Sequence, residues 1–135
     1  MTDRELIAKK LAFIETCVRE LRTLARPSAM ATDVRELRFV EHTLQLAIQA
    51  ALDVASYIVS DERLGEPRTN RDLFDLLARN GWIGADLCDA LRRMAGFRNI
   101  LVHGYAGVDP GIVQDAAENR LVDLEDFVAA VRPRI

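Results

Sequence analysis

The sequence predicts an all-α protein, a compact bundle of four to five helices that takes up residues 1–135 as a single domain. Three observations carry this prediction. Apolar residues recur every three or four positions through most of the chain, which is the period of a helix with one buried face. Half of the 135 residues are apolar, and only 6% are aromatic. Leu and Ala dominate the apolar set, and they suit helices better than strands. Turn and capping residues then divide the chain into segments of helical length.

The first helix is expected over residues 3–26, where Leu6, Leu11, Phe13, Ile14, Val18, Leu21 and Leu24 recur at helical spacing. Arg26-Pro27 ends it, because the residue before a proline is pushed out of the helical region. A second helix starts near Thr32-Asp33, with Glu36 three residues past Asp33 in a weaker capping-box pattern, and runs to about Asp61. Gly65 and Pro67 punctuate the connection that follows. Thr69 is placed to cap a short helix over residues 70–79, with Asp72 in its first turn. Asn80-Gly81 stops that helix. A fourth helix is expected from Gly84 to about Val102. Asp109 as cap and Pro110 as first residue open a fifth, which runs unbroken to about Val131.

A chain of this length can close one hydrophobic core without staples. Cys17 and Cys88 both sit in helical patterns and read as small buried hydrophobes, not as a disulfide framework. Met1-Thr2-Asp3-Arg4-Glu5 leads straight into an amphipathic run with no secretory leader. The longest apolar stretch, Leu44 to Val59, is interrupted by Gln45, Gln49 and Asp53 and reads as too short and too polar for a bilayer span. The expected location is the cytoplasm, with no membrane partner. The net charge of −3 argues against a general nucleic-acid coat, which needs a basic surface. It leaves room for local RNA binding, because seven Arg against five acidic residues fall between Arg63 and His103.

The second helix is apolar on most sides, so it should be buried on most sides. Yet Glu41, Gln45, Gln49, Asp53 and Tyr57 follow one another at i, i+4 spacing as one polar stripe. Three readings stay open: a solvated edge, a subunit interface, or the wall of a ligand cleft. Asp53 stands out with Gln49 beside it, because an ionised carboxylate among Ala and Leu needs a cation or hydrogen-bond donors.

With only two histidines, His42 and His103, a His-rich metal centre is excluded, and neither cysteine lies at ligand spacing from a histidine. No phosphate loop or H-E-x-x-H motif is present. No metal or cofactor is expected. The notable cluster is Arg98-Asn99-Ile100-Leu101-Val102-His103-Gly104-Tyr105. Histidine exchanges protons near neutrality, and the arginine fork matches phosphate. Asn can orient either one, and Tyr brings a hydroxyl and a stacking face. In one regular helix, however, Arg98 and His103 stand about 140° apart. Asn99 and His103 share a face. The pair can meet only if the helix unwinds near Gly104 or a second chain completes the site. On spacing alone, a simpler role for His103 as a helix-terminal dipole partner also fits.

Arg98 through Tyr105 matches the R-x4-H-x-Y motif and resembles HepT-like toxins of the HEPN superfamily. The segment His42 to Asp53 resembles that family's central helix, and Leu87 to Phe97 resembles the approach to its motif. The resemblance implies a HEPN-like homodimer with a cleft that gathers Arg98 and His103 from both chains. It implies a metal-independent endoribonuclease acting on RNA, with Arg98, Asn99 and His103 as catalytic residues. It implies the toxin of a type VII-like toxin–antitoxin system, silenced when a minimal nucleotidyltransferase antitoxin transfers AMP to the motif tyrosine, here Tyr105. A larger complex with that antitoxin is also implied. The alternative is a non-catalytic HEPN subunit that regulates a nucleotidyltransferase partner.

Overall fold

The computed structural model describes residues 3–104 and 107–135. Among the described residues the chain forms six α-helices: α1 (Asp3–Thr23), α2 (Val34–Asp61), α3 (Asn70–Arg79), α4 (Ala85–His103), α5 (Pro110–Asn119) and α6 (Leu121–Val131). Short 3-10 turns at Pro27–Ala29 and Arg132–Arg134 complete the described helical structure.

The helix starts follow local chemistry. Asp33 caps α2 by accepting from the N–H groups of Arg35 (2.9 Å) and Glu36 (3.4 Å). Thr69 and Asp72 make a full capping box at α3, and this fixes the direction of its first turn. Asp109 caps α5 by accepting from Gly111 N–H at 2.8 Å, with Pro110 as the first helical residue.

Helix α2 is the axis of the bundle. Its 28 residues pack against every other α-helix. Leu44, Ile48, Val54 and Ile58 are fully enclosed by α1 residues such as Leu11 and Ile14 and by side chains of the later helices. The helix is in fact long and apolar enough to cross a membrane by length and composition. What accounts for its apolar residues is the bundle itself, since most of that stretch is buried inside it.

The fifth expected helix is two. The buried residues Val113, Ala116, Leu121, Leu124, Phe127 and Val131 keep one helical period across residues 110–131, so the sequence reads as continuous. The backbone nevertheless breaks at Arg120 (φ −113°, ψ 0°). The reason is packing: both helices touch α2, but α5 lies otherwise against the turn at Pro27–Ala29, whereas α6 lies against α1 and α4. One straight rod cannot follow both surfaces, and no glycine or proline marks the bend.

Candidate active site

The site is made by the far end of α4. The middle of this helix is anchored by Cys88, Leu91, Met94 and Ala95, all buried. Helix α3 runs antiparallel beside it. Asp75 on α3 accepts from Cys88 Sγ at 3.6 Å and pairs with the Arg92 guanidinium. One turn further along α4, Arg71 of α3 lies on Gly96. Since α3 begins at Asn70, it covers α4 only as far as Gly96. The last two turns of α4 project beyond it, and there Asn99, Ile100 and His103 are exposed.

Arg98 is half-buried. Its Nη1 donates to Asn99 Oδ1 at 3.3 Å. Its Nε is fully enclosed and meets no acceptor among the described residues. An unpaired buried donor on a cation is costly, so this N–H is a group in need of an acceptor. The Nη1 contact places the Asn99 carboxamide beside the guanidinium. His103 is the last residue of α4 and is open to solvent. The helix is continuous through both residues. They are therefore about 140° apart around the axis and about 7.5 Å apart along it. The helix does end near Gly104, as one of the two expected departures requires, but it is regular up to His103, so this end does not bring the two side chains together within one chain.

The helix ends at Gly104 (φ −81°, ψ 58°). The conformation is open to any residue, but the space is not. A Cβ here would stand 2.6 Å from the Ile100 carbonyl oxygen and 2.9 Å from Val108 Cγ2. Glycine is required by this close approach. Tyr105, the expected modification site, lies outside the described residues.

The polar stripe on α2 does not join this site. Asp53 accepts from Lys10 Nζ on α1 at 3.1 Å and from Gln49 Nε2 at 2.8 Å. Its expected cation is thus intramolecular, while Glu41, at the start of the stripe, pairs with Arg38 of α2 itself. Helix α2 meets α4 on its opposite side, where Leu44 and Ile48 line a cleft of about 230 Å³ with Met94, Phe97 and Ile112. Within this chain no hydrogen bond or ion pair among the described residues joins Gln49 or Asp53 to Arg98, Asn99 or His103. Gln49 Oε1 is enclosed without a donor among the described residues.

Two residues near the site escape sequence reasoning: Arg71 and its seat, Gly96. The only signal in the sequence is the local excess of arginine, which does not say which of them meets α4. Among the described residues no group of three His, Cys, Asp or Glu side chains could hold a metal ion.

The fold and the exposed end of α4 define a small all-helical bundle that carries an imidazole at the helix terminus and, five residues earlier, a guanidinium in contact with a carboxamide. The profile of the ribonuclease HepT-like family matches residues 14–131, and the chain belongs to that family. It is 33% identical over 129 residues to the mRNA nuclease HepT of Shewanella oneidensis, covering 95% of this chain and 97% of that protein. It is 36% identical over 73 residues to the tRNA nuclease HepT of Aphanizomenon flos-aquae, covering 54% of this chain and 50% of that protein. Among solved structures, the tri-AMPylated Shewanella oneidensis HEPN toxin in complex with MNT antitoxin superimposes with a TM-score of 0.87 at 33% identity, over 98% of this chain and 99% of that one. The bundle is thus the HEPN toxin fold.

Proposed function

We propose that this protein is a metal-independent endoribonuclease toxin of a type VII-like toxin–antitoxin system, acting in the cytoplasm as a homodimer of single-domain chains. The observation that carries the reading is the Arg98–Asn99–His103 set on the projecting end of α4, in a chain of the ribonuclease HepT-like family. His103 takes the proton from a ribose 2′-hydroxyl. The 2′-oxygen attacks the adjacent phosphorus, the bond to the 5′-oxygen breaks, and the imidazolium returns its proton to that leaving oxygen. Arg98, oriented by Asn99, stabilises the charge that gathers on the phosphoryl oxygens, a contribution of about 2.7–4 kcal/mol in comparable sites. The arginine and histidine of one chain diverge, so the working pair takes Arg98 from one protomer and His103 from its partner.

Silencing follows the same logic. A nucleotidyltransferase antitoxin transfers AMP from ATP to the hydroxyl of Tyr105, two residues past His103, with release of pyrophosphate, and the added nucleotide fills the space the substrate needs.

The test is cleavage of RNA in EDTA by wild type and by His103→Ala. Wild type should cut and the variant should not; equal cleavage by both, or none by either, overturns the assignment. If wild type also proves harmless in cells that lack the antitoxin, the non-catalytic alternative takes its place. Light scattering should give twice the chain mass. Coexpression with the antitoxin should add adenylyl mass to the peptide that holds Tyr105.

A further inference from the structure

Arg92, Gly96, Asn99 and His103 occupy α4 at i, i+4, i+7 and i+11, within about 60° of one another around the axis. This one face carries both the candidate general base and the contacts with α3. Arg92 is paired with Asp75, so its charge is committed. Arg71 is different. Its guanidinium lies against Gly96 so closely that Cζ stands 3.3 Å from where a Cβ would be, with Nη2 nearer still. No side chain other than glycine fits beneath it without displacing it. Arg71 is exposed and makes no ion pair or hydrogen bond among the described residues. The Thr69–Asp72 capping box holds the backbone on either side of it. It opens on a depression of about 260 Å³ that Asp89, Arg92 and Arg93 also line.

Arg71 is also the last side chain that α3 lays on this face before α4 projects free. From Gly96 to His103 the axis advances about 10 Å, the length of roughly three stacked nucleotides at about 3.4 Å each. A free guanidinium on the same face as His103 and at this distance meets the backbone of a strand lying along α4. We propose that Arg71 is a substrate-positioning residue, seated by Gly96, that holds an RNA phosphate a few nucleotides from the scissile one. The proposal rests on the ribonuclease reading above.

The test separates a phosphate contact from a packing role. Binding of a 2′-O-methyl RNA oligonucleotide, which cannot be cleaved because the nucleophile is blocked, is measured by fluorescence anisotropy over a range of salt. Arg71→Met keeps the aliphatic cover on Gly96 but removes the charge. It should weaken binding about three- to tenfold and flatten the salt slope by about 0.7, the amount expected for one phosphate on a single strand. KM for a cleavable RNA should rise with kcat kept. Arg71→Lys should recover most of both, and Arg79→Met, at the other end of α3, should leave them unchanged. An unaltered slope in Arg71→Met, or a lysine variant no better than methionine, overturns the inference while wild-type cleavage leaves the ribonuclease reading standing. Wild type that neither binds nor cuts RNA overturns both.

Discussion

Replacing Gly104 by alanine tests whether the end of α4 is held by close approach. The added Cβ would sit 2.6 Å from the Ile100 carbonyl oxygen, where ordinary contact begins near 3.4 Å. About 0.8 Å of movement is needed. Val108 Cγ2, at 2.9 Å, belongs to a side chain that can turn away; the carbonyl belongs to the helix and cannot. Overpacking of this kind costs about 1–3 kcal/mol, and the stiffer unfolded chain returns about 0.4–1 kcal/mol. Net destabilisation is then about 2 kcal/mol or less, a loss of several degrees in melting temperature. Gly104 directly follows His103, so relieving this contact shifts the backbone that carries the imidazole. Misplacement of a catalytic group by about 1 Å can cost about a hundredfold in rate. Gly104→Ala should therefore remain folded by circular dichroism, melt slightly lower, and cleave RNA ten- to a hundredfold more slowly, as order-of-magnitude figures. Gly84→Ala is the control, because nothing lies within 4 Å of its Cβ position. A Gly104→Ala protein that matches wild type in both melting temperature and cleavage would refute the reasoning.

Three further outcomes are expected. Phe127 is fully buried and meets Phe74 edge-to-face at 6.0 Å, so Phe127→Ala should lose about 3–5 kcal/mol in urea denaturation; a loss below about 1 kcal/mol would contradict the packing described. Burial pushes the Cys17 and Cys88 thiols up to about 11 each, with Asp75 adding to the effect at Cys88. Both should alkylate at pH 8 about a hundredfold more slowly in the folded protein than after unfolding, and rapid native labelling of either would contradict this. The N–H of Arg68, then that of Thr69, hold the Asp72 carboxyl below the usual carboxylate range. A carboxyl depressed in the folded state stabilises above its unfolded pKa, and the contribution is lost as pH falls through the folded value. Asp72→Ala should speed hydrogen exchange in the first turn of α3 at neutral pH, with the difference fading in acid; an equal effect at both pH values would count against the capping role.

What could be read from the residues was local. Helix starts depend on groups within three or four positions, so Asp33, Thr69 with Asp72, and Asp109 with Pro110 mark them correctly. The motif from Arg98 to Tyr105 is contiguous, so its chemistry and the divergence of Arg98 from His103 follow from the helical period alone. Periodicity also says which face of a helix is apolar. It does not say which neighbour takes that face. Only packing bends the chain at Arg120, turns Asp53 towards Lys10 and away from α4, and ends α3 level with Gly96. These are contacts between residues far apart in sequence, and they depend on where whole helices come to rest. The exposure of His103 and the seat of Arg71 beside its face are decided there, in the tertiary structure.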